Sequence, residues 1–460
     1  MTPDLERHDG GRRVAVTGVG LLTALGAGRD AVWQALLNGR CGIGRLGGYE
    51  PASLRTQIGA EITDFDPQRY AARRTLRMST RNDQLAIAGA ALAMQDSGID
   101  LAAVDPVRAG VFAGGNKEIS QPERLLEGSL AGRGSDGRAD VRQLGRRASS
   151  AFHPLFYVEG LQSASLFYLS QAYGLLGPNA YFCGTSDAGL TAIGRGYRAV
   201  RWGEADVVLA GGFDDASSWW TMSKMDGLGV LSTANDRPAE AFRPYDRDRS
   251  GSVLGEGAAF LVLEELGAAR RRGAHVYAEI TGFAGTLDIA QRITPELGGD
   301  ALAVAIGRCL DEARVNPADV GWVAAHGCAT ALGDVSEAAA LRTAFGDRPP
   351  PASSVKPATG HLVAAAGALN AAVGVLAVDG DTVPATLNLD RPDPACAGNW
   401  VRGDARPGPV RHVVALARGL EGQQVALSVA GAGHPVDSTH PQHPAAPHHA
   451  APPASAGKGD

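Results

Sequence analysis

The sequence predicts an α/β protein with a mostly parallel sheet and helices packed on its faces. Three observations carry this. Short apolar runs of strand type alternate with segments of helical apolar spacing from residue 14 to residue 416. Glycine is abundant at 61 residues and aromatics are scarce at 6%, which suits closely packed helices and strands joined by many turns. Two stretches also repeat faintly in the same order, 14–20 (VAVTGVG) with 278–285 (AEITGFAG) and 91–115 with 305–327. Two similar halves would meet near residue 265.

Taken in chain order, residues 1–11 are polar and predict a flexible arm. The run 14–20 predicts the first strand and 30–37 a helix. Residues 82–97 have helical spacing, with Gly98 as a stop. Residues 109–113 predict a buried strand ending in Gly114 and Gly115. The polar, arginine-rich stretch 120–150 reads as a surface excursion or cap rather than core. Further strands are predicted at 206–210, 259–263, 276–283, 322–325 and 412–416, with helical patterns between most of them. This divides the chain into an arm (1–11), a first half (12–265), a second half (266–432) and a tail (433–460). The tail holds prolines and histidines with almost no apolar pattern, so it predicts disorder.

Composition narrows the function classes. A net charge of −6 leaves no nucleic-acid footprint. No apolar run reaches the roughly 18 residues a membrane span needs, and the N-terminus lacks a signal-peptide core, so a cytoplasmic protein without membrane partners is expected. The cysteines Cys41, Cys183, Cys309, Cys328 and Cys396 are scattered, with neither zinc spacing nor a disulfide framework. No metal or nucleotide motif is visible, and no cofactor is expected.

Three segments carry chemistry-bearing residues at predicted strand–helix junctions. The first is YFCGTSDAG (181–189), which reads as a strand, a turn of small residues and a helix. A nucleophile on that turn would sit at a helix N-terminus, where free N–H groups stabilise anions. The second is AAHGCATALGDVSE (324–337), and the third is SSVKPATGHLVAAAG (353–367). Spacing alone leaves open whether they meet.

In order along the chain, RRVAVTGVGLLTALG, GEADVVLAGG, RPYDRDRSGSVLGEGAAFLVLEE, AHGCATALGDVSE and SSVKPATGHLVAAAG resemble landmarks of the β-ketoacyl-[acyl carrier protein] synthases. The resemblance covers about residues 12–430. It implies the thiolase fold, in which two βαβαβαββ-type halves form five layers, αβαβα, usually as a dimer. His326 and His361 match the family's catalytic histidines, Lys356 the lysine that orders the site, and Asp334 and Glu337 the supporting acidic pair. Two neutral imidazoles can donate hydrogen bonds to a thioester carbonyl and stabilise the enolate left by decarboxylation.

Two departures matter. Counting back from Ile193 and Gly194, and from Gly203, puts the family's nucleophile position at Ser186, not Cys183. A serine hydroxyl is far less ionised than a thiol and needs a base to attack. The second departure is the loop 419–424 (GLEGQQ). By resemblance, the N–H of Leu420, after Gly419, would pair with that of Ser186 as an oxyanion hole, and Glu421 replaces a glycine there. Milder changes are Cys328, Ser250 and Ser252. Arg73, Arg74 and Arg77 lie where the family docks its acidic acyl carrier protein, and exposed arginines would steer such a partner. The segment 153–170 is expected to line the substrate channel or a dimer interface.

Three functions follow. The first is a condensing-family enzyme of fatty-acid or polyketide biosynthesis acting on carrier-bound thioesters, by acyl transfer through Ser186 or mainly by decarboxylation through the histidines. The second is a non-elongating partner like the family's chain-length factors, paired with an active synthase. The third is a serine acyl transferase or hydrolase, although no Gly-x-Ser-x-Gly elbow is present. A homodimer, or a heterodimer with a ketosynthase paralogue, is expected.

Overall fold

The computed structural model describes residues 11–116, 122–152, 156–290 and 293–432. Most of the expected arm, the expected tail and residues 153–155 lie outside them.

Among the described residues, ten of the main sheet's eleven strands form its hydrogen-bonded path: β1 (Val14–Thr23), β2 (Ala109–Gly115), β3 (Asn179–Cys183), β4 (Val207–Asp215), β5 (Glu256–Glu265), β6 (Ala278–Leu287), β7 (Trp322–Ala324), β8 (Ala352–Ser353), β9 (His412–Arg418) and β10 (Gln423–Ala430); the eleventh, Gly26–Ala27, pairs with β1 off that path. Their hydrogen-bonded order is β8-β7-β9-β10-β6-β1-β5-β4-β2-β3. The first five strands thus run 3-2-4-5-1 and the second five repeat that order, mirrored about the junction of β6 and β1. The parallel pairs are β2–β3 and β2–β4 in one set, and β7–β8 and β7–β9 in the other. The fifth strand of each set is antiparallel to both neighbours. The sets join through a short antiparallel contact, Val14–Val16 against Ala278–Ile280. The faint sequence repeats fall on β1 and β6, and on the helix ends that feed β2 and β7.

Strand period explains the layering. On β5, Leu261 and Leu263 face one core while Phe260 and Val262 face another. On β9, Val413 and Ala415 face the first of these cores, and Val414 and Leu416 a third. Helix α1 (Arg81–Ser97) covers the outer face of the first sheet. Helices α2 (Ala188–Arg201) and α5 (Ala366–Asp379) lie between the sheets, and α3 (Asp300–Ala313) and α4 (Ala331–Phe345) cover the outside of the second. This is the five-layer αβαβα thiolase fold. Helix α1 starts on a Thr80–Asp83 capping box and stops at Gly98, in the left-handed region at φ 56°.

The polar stretch 120–150 holds two helices, Pro122–Ala131 and Val141–Ala151. The second is started by Asp140, whose carboxylate accepts the N–H groups of Arg142 and Gln143. No helix among the described residues is long and apolar enough to cross a membrane.

The middle layer brings the three motif segments together. β3, β7 and β8 all end toward one crevice, and α2 and α5 start from it. Close approach there requires glycine. A Cβ on Gly189 would lie 2.7 Å from the Ala364 carbonyl oxygen, and one on Gly367 2.6 Å from that of Ser186.

Candidate active site

Ser186 lies three residues beyond the end of β3, on the turn into α2, and is buried. Cys183 is the last residue of β3 and is exposed. Ser186, His326, His361, Cys328, Arg418 and Leu420 line one cavity of about 430 Å³. Its remaining walls include Met225, Val230, Leu254 and Val363, which give it an apolar depth. None of the described residues of 156–170 lines it, so the expected channel role of that segment is not met within this chain.

The Ser186 hydroxyl and His361 Nε2 are 3.2 Å apart. The other ring nitrogen, Nδ1, accepts the backbone N–H of Val363 at 3.0 Å. In the neutral ring the proton therefore sits on Nε2 and points to Ser186. His326 is fixed the same way, with Nδ1 accepting the Arg418 N–H at 3.4 Å. The two rings face edge to face-plane with centroids 5.6 Å apart. Burial, and then the Lys356 cation, hold both imidazoles well below their ordinary pKa of 6.5. Two neutral rings thus present two N–H donors to one cavity.

Lys356 and the acidic pair support this geometry from behind. The Lys356 ammonium donates to the His326 carbonyl, and burial lowers its pKa to about 8. Glu337 accepts the N–H groups of His326 (2.6 Å) and Gly327 (2.8 Å), and the Tyr245 hydroxyl (2.8 Å). Asp334 accepts the N–H groups of Ala329 (3.0 Å) and Tyr245 (2.7 Å). Burial pushes the Asp334 carboxyl up to about 7, against these donors and the Arg249 guanidinium 3.8 Å away. Residues 326–329 need such anchoring. Ala329 holds φ at 57°, and a Cβ on Gly327 would meet Ser354 at 2.6 Å. Val363, whose N–H fixes His361, also has positive φ, at 39°.

The N–H expected to serve an oxyanion hole has a partner within the chain. The Leu420 N–H is donated to Thr185 Oγ1 at 2.8 Å, and the Leu420 carbonyl accepts the Ile293 N–H at 3.1 Å. The peptide is tied on both sides, and its N–H is spent within the protein. Gly419 packs beside Asp187, where a Cβ would lie 2.5 Å from Oδ1. Arg73, Arg74 and Arg77 are exposed, the first two on a short helix at 73–76.

Thr185, Tyr245, Val363 and Arg418 were missed as contributors. Val363 and Arg418 act through backbone N–H groups, which every non-proline residue carries and no motif reveals. Tyr245 and Arg249 did stand in a landmark motif, without assigned roles.

Family comparison agrees with the fold. The model "Beta-ketoacyl synthase, N-terminal domain" matches residues 11–269 and "Beta-ketoacyl synthase, C-terminal domain" residues 277–390. The chain is 36% identical over 427 residues to the tetracenomycin polyketide synthase ketoacyl synthase alpha subunit of Streptomyces glaucescens, covering 91% of this chain and 97% of that one. It is 34% identical over 414 residues to 3-oxoacyl-[acyl-carrier-protein] synthase 2 of Coxiella burnetii, covering 89% and 96%. Among solved structures, the ishigamide ketosynthase/chain length factor superposes with a TM-score of 0.82 at 27% identity, covering 92% and 100%.

Proposed function

This chain belongs to the β-ketoacyl synthase family of polyketide and fatty-acid biosynthesis, and we propose that it binds malonyl-type thioesters on an acyl carrier protein and decarboxylates them, while Ser186 at the nucleophile position accepts acyl groups poorly. One observation carries this reading. Both histidines turn Nε2–H into the cavity because both Nδ1 atoms are occupied by backbone donors.

Such a pair supports enolate formation. The bond between the malonyl methylene and its carboxylate breaks, carbon dioxide leaves, and the electron pair moves onto the thioester oxygen. There the N–H groups of His326 and His361 would stabilise it. The carbanion form then takes a proton from water, or attacks the carbonyl of an acyl thioester brought by a partner, whose carbon–sulfur bond breaks as the thiol leaves with a proton. The same tautomers deprive Ser186 of a base. His361 offers Ser186 a proton rather than a lone pair, which argues against serine hydrolysis. The apolar walls of the cavity suit a carbon chain, and Arg73, Arg74 and Arg77 suit an acidic carrier.

A second subunit is supported by the edge of the sheet. Among the described residues, β3 pairs only with β2, and the exposed Tyr157 and Phe167 lie on the helices just before it. A second copy or a ketosynthase paralogue would cover this edge, and in the paralogue case the chain would serve as its non-elongating partner. Co-purification with a paralogue and elongation only by the mixed complex would favour that role. Full elongation by the isolated chain would overturn both the partner role and the poor acceptance assigned to Ser186.

A further inference from the structure

The Leu420 N–H is the second donor an acyl-transfer site needs, and this chain has a built contact that occupies it. Thr185 Oγ1 accepts that N–H at 2.8 Å and donates its own proton to Glu421 Oε2 at 3.1 Å. The hydroxyl has one proton, and it goes to the carboxylate, so its oxygen is left free to accept. The loop is braced in this orientation from other directions. Gly419 donates to the Gln423 carbonyl at 2.8 Å, Gly422 to the Gly419 carbonyl at 3.1 Å, and Ile293 to the Leu420 carbonyl at 3.1 Å. Gly422 holds φ at 101°, and a Cβ there would lie 2.4 Å from the Asp288 carbonyl oxygen. The loop therefore has little room to adjust while the Thr185 contact stands.

We infer that Thr185 and Glu421 form a latch that withholds the Leu420 N–H from the thioester carbonyl, so that acyl transfer to residue 186 is held back by the loop as well as by the serine itself. Thr185 is a positioning residue, because it touches the loop and acts through it. Glu421 makes the latch directional by fixing the hydroxyl proton. With the latch closed, the histidine donors still face the cavity, so decarboxylation proceeds while acyl transfer lacks one of its donors. This inference rests on the reading that the cavity takes carrier-bound thioesters.

The test separates the loop from the nucleophile. Ser186→Cys supplies a thiol at the N-terminus of α2. In the acylation step its sulfur bonds to the acyl carbonyl carbon, the carbon–sulfur bond to the carrier breaks, and the carrier leaves as a thiol after taking a proton. Acylation of full-length S186C, T185A/S186C and T185S/S186C by an acyl-loaded carrier protein is followed by intact mass. Amide hydrogen exchange at Leu420 is followed in the same three proteins. The latch predicts acylation about tenfold or more faster with T185A, as expected for a regained oxyanion donor. It also predicts faster exchange at Leu420, a gain in the acylation rate constant rather than in half-saturation, and rescue of the latched behaviour by T185S. Unchanged exchange at Leu420, or acylation no faster in T185A/S186C than in S186C, overturns the latch. Absence of malonyl decarboxylation by the wild-type chain would instead overturn the functional reading, and the exchange measurement would still decide the latch.

Discussion

His361 points a proton, not a lone pair, at Ser186: its Nε2 is 3.2 Å from the hydroxyl while its Nδ1 is held by the Val363 N–H. That one orientation separates the two chemistries this fold could run. A donor aimed into the cavity favours an enolate, and the same donor leaves the serine without a base.

The pH dependence follows from the same groups. Both histidines are held below 6.5, so the neutral donors persist at mildly acidic pH and the acid limb of decarboxylation falls below 6.5. Lys356 loses its charge at about 8, which sets an alkaline limb there. Stability runs with a definite sign. Below about pH 6.5 the unfolded histidines take protons that the folded ones refuse, so stability falls as pH drops through that value. Between about 8 and 10.5 the unfolded lysine holds a proton that the folded one has shed, so this group's contribution to stability rises with pH. A pH–rate profile alongside melting temperatures checks both, and K356M should remove the alkaline limb.

Glu337 is a structural support before it is anything else. E337A would strand the N–H groups of His326 and Gly327 and the Tyr245 hydroxyl. At about 1–3 kcal/mol for each buried group left unpaired, a loss of several kcal/mol is expected. Denaturant melts give the value, and a loss under about 1 kcal/mol would remove Glu337 from this role.

Asp187 is buried beside the loop, and burial together with Glu421 pushes its carboxyl up to about 6. Its charge is therefore held at a cost above that pH, and the cost is relieved as pH falls from about 6 toward 3.8. D187N should stabilise the fold at pH 7.5 by about 1–3 kcal/mol and by clearly less at pH 5. Equal effects at the two pH values would contradict the burial argument.

For the carrier, R73E/R77E should raise the half-saturating concentration of malonyl carrier protein about tenfold, more strongly at low salt, because the contact is electrostatic steering at an exposed surface. Turnover of a small malonyl thioester lacking the carrier should not change. Unaltered carrier saturation would move the docking face elsewhere.

Much of this was legible in the sequence because local patterns carried it. The apolar runs marked the strands, and the matched order of 14–20 with 278–285 exposed the duplication. The motif residues His326, Lys356 and His361 pointed to one crevice once the fold was known. The latch was not legible, since Thr185 and Glu421 are 236 residues apart and nothing in the segments 181–189 and 419–424 says that their side chains meet. The partner of the Leu420 N–H was hidden for a related reason: position along a loop does not say where a peptide N–H is spent. The helices of 122–151 did not show in the polar stretch read as a surface excursion or cap, because their few apolar residues bury little, while a single Asp140 cap starts the second of them.

The most direct test follows malonyl-loaded carrier protein by mass during incubation with wild type, S186A, H326A and H361A. The account predicts acetyl carrier protein from wild type and S186A at comparable rates, a loss of about a hundredfold or more in either histidine variant, and no acyl mass on the wild-type chain. An acyl adduct on wild type that forms at the rate of turnover and vanishes in S186A, with decarboxylation vanishing alongside it, would contradict the account.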